Sequence, residues 1–457
     1  MIFEDTIAAI STPLGEGGLA VLRLSGPQAL VIADKCFQPV GRSALRPTEA
    51  PTHTLHYGYL QRDGRVVDEV LLAVMRAPRT YTCEDVVEIS CHGGLLTARL
   101  ALETLLAAGA RLAHPGEFTR RAFLNGRLDL TQAEAVADVI HARTELALAA
   151  AQEQLSGKLS QRIRQLRQDL LHVLAHIEAH LDFPEEDIAP DSREQLSARL
   201  AAARRFMEEL LRTAREGRLL RQGVRAAIVG RPNVGKSSLL NLLLGHDRAI
   251  VSPVAGTTRD TIEETANIRG LPVVFVDTAG LRDTTDVIEA EGVRRSQEAL
   301  RRAELVLQVL DVSEPLTSLD QRYLQELSGR PRILVCNKAD LRAQWTLPPD
   351  FPAPVVTVSC VTGAGVENLK DAIKNLVWQG EVRAEMLEVM INARHQDALR
   401  RALEAAARAH QALLADATLE CVALDLRIAV NTVGEITGQT ATEDLLDTIF
   451  SQFCIGK

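Results

Sequence analysis

Three patterns of hydrophobic and polar positions succeed one another along the chain. Up to about residue 120, short apolar or alternating runs predict strands at Thr6 to Ile10, Leu19 to Leu24, Val66 to Met75 and Val86 to Ser90, and one helix at Leu95 to Ala108. This is an α+β module. From about Gly116 to Arg221 the period lengthens: Leu155, Leu159, Ile163, Leu166, Leu170, Leu174 and Ile177 recur at spacings of three and four, with a break expected at Phe183-Pro184. Between about Gly223 and Trp378, apolar runs at Val224 to Val229, Val273 to Val276, Arg332 to Cys336 and Pro354 to Val358 alternate with helical stretches, as in a doubly wound sheet. Helical periodicity returns over Glu385 to Ala415, Glu420 to Ile436 and Asp444 to Phe453.

Amphipathic helices on both sides of a self-contained α/β segment need partners for their apolar faces, and the nearest candidates are each other. The pattern therefore predicts a discontinuous helical domain with the α/β segment inserted into it. Such an insertion is cheap, because loop closure costs only about 0.6 kcal/mol per doubling of loop length. Expected boundaries are 1–118, 119–221, 222–379 and 380–457.

Four short segments of the inserted part describe GTP hydrolysis. Gly-Arg-Pro-Asn-Val-Gly-Lys-Ser, Gly230 to Ser237, lies between an apolar run and the apolar-rich stretch Leu239 to Leu244, the strand-to-helix context of a phosphate loop. Gly230 and Gly235 let the backbone curl so that the N–H groups from Asn233 and Val234 to Ser238 face phosphate oxygens. Lys236 brings a point charge, and Ser237 offers a hydroxyl to Mg²⁺. Thr258, after Thr257, is expected to complete the Mg²⁺ shell. Asp277-Thr278-Ala279-Gly280 ends a buried strand and sets a carboxylate beside the metal through water. Asn337-Lys338-Ala339-Asp340 chooses the base: guanine presents donors at N1 and N2 to the Asp340 carboxylate, and adenine does not. Asn337 addresses the other edge, and Ser359-Cys360 closes over the base by backbone contact.

Many small GTPases place a Gln after Asp-x-x-Gly to orient the attacking water. Here that position is Leu281, whose side chain has no polar atom, so another group must do that work. Asp283, Asp286, Glu289 and Glu291 are the carboxylates within reach in sequence.

Composition sets bounds on the rest. A chain of 457 residues suggests about three domains, and 46% hydrophobic with 24% charged residues is ordinary globular composition. No apolar run of about 18 residues occurs, and Met1-Ile2-Phe3-Glu4-Asp5 has no signal-peptide character, so a cytoplasmic protein without membrane contact is expected. The seven cysteines form no Cys-x-x-Cys pair, which argues against a zinc site or disulfide framework. A net charge of −9 argues against a non-specific nucleic-acid binder.

Taken with Gly256-Thr257-Thr258-Arg259-Asp260 and the phosphate loop, Arg23, His92-Gly93-Gly94, Pro115-Gly116-Glu117-Phe118 and the final Phe453-Cys454-Ile455-Gly456-Lys457 resemble the MnmE (TrmE) family of tRNA uridine-modification GTPases. The resemblance spans essentially the whole chain. It implies a fold that is α/β and α: an α+β N-terminal folate-binding domain that also dimerises, a discontinuous helical domain, and an inserted Ras-like doubly wound GTPase domain. It further implies a homodimer that works with the FAD-dependent flavoprotein MnmG, as a heterotetramer, to place a carboxymethylaminomethyl or aminomethyl group on C5 of the wobble uridine of certain tRNAs. The carbon comes from a tetrahydrofolate derivative, 5-formyl- or 5,10-methylene-tetrahydrofolate.

By the same resemblance, Arg23, Glu88, Arg127 and Lys457 fall on folate-contacting positions; Arg127 stands where some relatives have Lys, which keeps the charge and changes its geometry. Cys454 falls on a thiol implicated in the modification. The family's GTPase is stimulated by K⁺, with Asn233 on the ligand position of the phosphate loop. Ser252, Val254 and Thr257 fall on the loop that supplies further oxygens and, with Pro253, Ala255 and Gly256, lines the nucleotide. Glu289 matches the water-positioning acid, and the cation site is completed when two GTPase domains face each other. Two other classes of function remain open from the residues alone: a ribosome-assembly or regulatory GTPase acting as a GTP-timed binding module, and a scaffolding dimer whose N-terminal module binds no folate.

Overall fold

The computed structural model describes residues 3–41, 45–182, 190–245, 263–276, 300–348, 350–378, 390–415 and 417–457. The chain divides into two compact units. One comprises residues 1–137, 160–197 and 408–457, and the other residues 138–159 and 198–407.

The first unit is built on a seven-stranded sheet of β1 (Ile7–Ile10), β2 (Leu19–Ser25), β3 (Phe37–Pro39), β4 (Thr54–Arg62), β5 (Arg65–Met75), β6 (Val86–His92) and β7 (Arg111–Leu112), in the order β3-β4-β5-β6-β2-β1-β7. Alternation decides its faces. Leu22, Ile89 and Leu72 stand opposite one another across three strands, as do Leu24, Val87 and Val74, and all are fully buried under α1 (Ala29–Cys36) and α2 (Leu95–Ala107). On the other face the same register sets Arg23 opposite Glu88.

The sequence expected one helix before residue 120, and the structure has α1 as well. Its Val31-Ile32 pair favours strand locally, but Ala29, Ile32, Ala33 and Cys36 share a helical face that packs into the core, and burial overrides propensity. Strand β4 was likewise not foreseen.

Helices α3 (Glu117–Leu124), α4 (Leu130–His141), α5 (Glu145–Leu155), α6 (Lys158–Asp182), α7 (Pro190–Arg212) and α8 (Ala214–Gln222) follow. Leu159, Ile163, Leu166, Leu170, Leu174 and Ile177 are all buried along α6. Leu155 departs from the expected single run. It ends α5, because Gly157 at φ +88° turns the chain between the two helices. The expected break at Phe183-Pro184 lies outside the described residues.

The second unit carries a six-stranded sheet of β8 (Val224–Val229), β9 (Glu264–Ile268), β10 (Leu271–Phe275), β11 (Leu305–Asp311), β12 (Arg332–Asn337) and β13 (Val355–Thr357), ordered β13-β12-β11-β8-β10-β9. All pairings are parallel except β9 with β10. The central strands are buried on both faces and read as continuous apolar runs. Strand β9 escapes a hydrophobicity reading because it is Glu-Thr-Ala-Asn-Ile; the hairpin signal is Arg269-Gly270, both at positive φ, a two-residue turn of the type that matches strand twist. Helices α9 (Lys236–Gly245), α10 (Ser318–Glu326) and α11 (Val366–Val377) complete the doubly wound segment.

Beyond it come α12 (Ala393–Leu414), α13 (Leu419–Thr437) and α14 (Glu443–Phe450). The expected helix from Glu385 is described only from Ala393, since 379–389 lie outside the described residues; the one expected to reach Phe453 stops at Phe450. Among the described residues no helix is long and apolar enough to cross a membrane.

Helix α3 is fastened by a buried guanidinium. Arg121, fully buried, donates from Nη2 to Asp5 (2.7 Å) and Glu117 (3.0 Å) and from Nη1 to Glu84 (3.2 Å), while Arg111 bridges the same Asp5 and Glu117. Burial pushes the Glu117 carboxyl up, but Arg111, the His114 N–H and Arg121 together hold it below its ordinary value, and Asp5 is held low against burial in the same way. Because both folded values are depressed, their contribution is complete above the ordinary 4.5 of Glu and is lost as pH falls through the folded values. Arg121→Met should lower stability by about 3–5 kcal/mol, since it strands buried carboxylates. Urea unfolding at pH 7 and pH 4 checks both statements; the variant should also lose less on acidification than the parent chain.

Candidate functional site

Strand β8 delivers the chain to the phosphate loop, and α9 begins at Lys236. A Cβ on Gly230 would sit 2.5 Å from the Val309 carbonyl of the neighbouring strand, so the loop can leave β8 this tightly only with glycine. Asn233 is at φ +62°, a left-handed conformation that Asn tolerates better than most side chains. The Lys236 ammonium donates to the carbonyls of Gly230 (2.9 Å) and Arg231 (2.8 Å), which folds its stem across the loop. Burial pulls Lys236 below its usual value. Val234 is buried, Ser237 half-buried and Ser238 exposed at the start of α9, where the helix dipole favours an anion.

The base motif ends β12 one strand away. Asn337 is buried, and its side-chain amide joins three segments: Nδ2 donates to the Val234 carbonyl (2.8 Å), and Oδ1 accepts from the Cys360 N–H (3.2 Å). An amide carries two N–H donors, so the second stays available to a base. A Cβ on Gly235, at φ +98°, would overlap that same Nδ2. The exposed Asp340 accepts from the buried Ser359 hydroxyl at 2.6 Å, which fixes one oxygen and turns the carboxylate outward. Lys338, at φ +65°, reaches back to Asp311 at 2.5 Å. Sequence reasoning passed over Asp311; the signal was an acid closing a largely apolar strand.

Ser252, Pro253, Val254, Ala255, Gly256, Thr257, Thr258, Asp277, Thr278, Ala279, Gly280 and Glu289 lie outside the described residues. The structure therefore brings together the phosphate-loop and base-motif residues among those expected to touch the nucleotide.

A second cluster forms in the first unit. Arg23 on β2 donates twice to Glu88 Oε1 on β6, from Nε at 2.8 Å and Nη2 at 2.7 Å. Its guanidinium lies 5.5 Å from the centre of the Tyr81 ring and 5.6 Å from that of Phe118. Arg127 lies 4.8 Å from the same Tyr81 ring and donates to the Tyr81 carbonyl. Lys457 is 6.0 Å from it. The three expected folate-contacting cations thus meet around one aromatic ring that the sequence did not single out, with Glu88 held against Arg23.

Burial lowers the Lys457 ammonium, the nearby Arg23 lowers it further, and Glu88 opposes both. The last residues reach this place because the Gly456 carbonyl accepts from Ser11 (3.2 Å) and Arg23 (3.5 Å), and the Cys454 carbonyl accepts from the Gly116 N–H (3.3 Å). Cys454 itself is exposed.

Residues 6–127 match the family described as GTP-binding protein TrmE N-terminus, and residues 130–454 match the MnmE helical domain. The second match brackets the whole doubly wound segment. The chain belongs to the MnmE family of tRNA modification GTPases. Proteins named tRNA modification GTPase MnmE from Geobacillus kaustophilus and Chloroflexus aurantiacus are 48% and 50% identical to it, each over 99% of this chain and 99% and 100% of their own lengths. That of Geobacter sulfurreducens is 48% identical over 100% of both chains. Family membership accounts for the architecture: an N-terminal TrmE domain, and a helical domain into which a Ras-like GTPase domain is inserted.

Gly235 is where backbone conformation and the contact with Asn337 constrain the MnmE-type nucleotide site together. Gly235→Ala incurs about 1–2 kcal/mol of left-handed backbone cost before any displacement of Asn337, so GDP affinity should fall by at least about tenfold. Titration with a fluorescent GDP analogue measures it, and unchanged affinity would refute the reading of this contact.

Proposed function

We propose that this chain uses GTP hydrolysis, with Mg²⁺ and K⁺, to drive modification of the wobble uridine of tRNA at C5, together with the FAD-dependent MnmG flavoprotein and a tetrahydrofolate one-carbon donor. The observation that carries the folate part is the convergence of Arg23, Arg127 and Lys457 on Tyr81, with Glu88 paired to Arg23. Arg23 donates both of its hydrogen bonds to Glu88 through the same oxygen, Oε1, which leaves Oε2 as an acceptor for the amino and ring N–H groups of a pterin. The flat Tyr81 face suits an aromatic ring, and the cations suit the carboxylates of a glutamate tail. The folate would supply the one-carbon unit. Cys454, exposed within the same terminal segment, is the candidate thiol for the uridine chemistry.

In the nucleotide site, Asp340 reads guanine through the carboxylate oriented by Ser359, and Asn337 and Cys360 frame the base. Lys236 and the N–H groups at the start of α9 hold the phosphates. Ser237, with Thr258, would ligate Mg²⁺. Asn233, at a left-handed φ in the phosphate loop, would offer its side-chain oxygen to K⁺, with Ser252, Val254 and Thr257 as the remaining ligands. Leu281 cannot position water, so Glu289 takes that role.

The domains would be 1–118 for folate and dimerisation, 119–221 and 380–457 for the helical domain, and 222–379 for the GTPase. A homodimer is supported by the outer face of the first sheet, where Leu55 (63% exposed), Tyr57 and Leu71 leave apolar surface uncovered on the neighbouring strands β4 and β5.

Calorimetry with 5-formyltetrahydrofolate on the full chain tests the folate reading. Binding that weakens at least about tenfold in Tyr81→Ala is expected, as one stacking and cation–π platform contributes on the order of 1–2 kcal/mol; no binding to the unaltered chain would end it. Glu289→Ala should keep GTP affinity and lose about 10²–10⁴-fold in kcat, the range for a group that handles the attacking water's proton. Hydrolysis by the unaltered chain should be faster in KCl than in NaCl at equal ionic strength, and equal rates would remove the K⁺ site.

A further inference from the structure

Strand β11 carries none of the four GTPase segments, yet the sheet order sets it between β8, which leads into the phosphate loop, and β12, which ends in the base motif. Its last residue, Asp311, stands in register with Asn337. That carboxylate is buried, with 3% of the residue exposed. A buried carboxylate needs partners, and those of Asp311 come from both functional loops.

Oδ1 accepts from the backbone N–H (2.9 Å) and hydroxyl (2.6 Å) of Ser313, which fixes the plane of the group. Oδ2 meets the Lys338 ammonium at 2.5 Å, from the base motif, and the Arg231 guanidinium at 3.8 Å, from the phosphate loop. Arg231 is held in turn by Glu314 (2.6 Å) and by Asp320 (3.4 Å), the residue that closes the capping box of α10. The Trp345 indole N–H donates to the Asp311 and Glu314 carbonyls, closing the loop around the group.

We propose that Asp311 is a positioning residue for the GTPase reaction: it ties the base-reading turn to the phosphate loop through Lys338 and Arg231, and thereby sets how long a guanine nucleotide is held. The link is specific in its geometry. Lys338 sits at positive φ between Asn337 and Asp340, so anchoring its side chain fixes the turn that aims both. Asn337 already joins the two loops by a neutral hydrogen bond to Val234, and Asp311 adds a charged connection one strand over. When either loop shifts to release its end of the nucleotide, the other is drawn with it.

Asp311→Asn keeps the size of the side chain and an oxygen for Ser313, and removes the charge that Lys338 and Arg231 share. GDP should then dissociate about tenfold faster, and KM for GTP should rise similarly, as expected for loss of a charged hydrogen bond. The value of kcat at saturating GTP should stay within about twofold, because no reacting atom is touched.

Stopped-flow release of a fluorescent GDP analogue reads the dissociation rate of folded molecules only, so a loss of fold stability alone does not change it. In a cycle with Lys338→Met, the two changes should be strongly non-additive, since each removes one end of the same contact. Release at the unaltered rate in Asp311→Asn, or full additivity in the cycle, would overturn the proposal. Should Asp311→Asn not fold, Ser313→Ala keeps the charge and leaves Oδ1 only the Ser313 backbone N–H: about threefold faster release is expected from the lost hydroxyl hydrogen bond, and unchanged release would equally overturn it.

Discussion

The second unit depends on one amide side chain. Asn337 is buried at the end of β12, and its two polar atoms meet the Val234 carbonyl and the Cys360 N–H from one position. Each bond contributes about 1 kcal/mol net, but leaving such buried groups unpaired costs about 1–3 kcal/mol. The phosphate loop, the base motif and the loop after β13 therefore hold their mutual arrangement or lose it together. Gly235 follows from the same constraint, because a Cβ there would occupy the space of the amide nitrogen. The same β12 end carries the exposed Asp340, whose carboxylate is oriented by Ser359.

In the first unit the corresponding constraint is placement of the final residues. Gly116, at φ +67°, lies so close to the carbonyl of Phe450 that a Cβ would approach to 2.6 Å, and its N–H holds the Cys454 carbonyl. Phe450 and Phe453 pack at 5.5 Å beside this contact. Gly456, at φ +96°, turns the chain over Ile10 so that its carbonyl meets Ser11 and Arg23. Lys457 is delivered by these contacts to Tyr81, next to residues hundreds of positions earlier. The buried Arg121 network supports the same region by fixing α3, which carries Phe118.

The sequence made the GTPase segment legible because its chemistry is local. Gly230 to Ser237 and Asn337 to Asp340 each carry their geometry in consecutive residues, and the strands before them are mostly apolar. Asp311, Tyr81 and Phe118 were not legible, since each acquires its role only from neighbours brought in by strand order or by a distant helix. Strand β9 and helix α1 hid for a related reason: their local composition points elsewhere, and only the hairpin turn and the shared apolar face reveal them. Leu155 shows the limit of periodicity, which runs on smoothly where a glycine turns the chain.

The account's central claim is that a single carboxylate, Asp340, held outward by Ser359, selects the guanine base. The most direct measurement is the binding of GDP and of xanthosine diphosphate to Asp340→Asn. An amide presents donors where the carboxylate presented only acceptors, and xanthine carries an oxygen where guanine carries its amino group, so preference should pass from GDP to the xanthine nucleotide. Retention of the original preference by a folded variant would contradict the account.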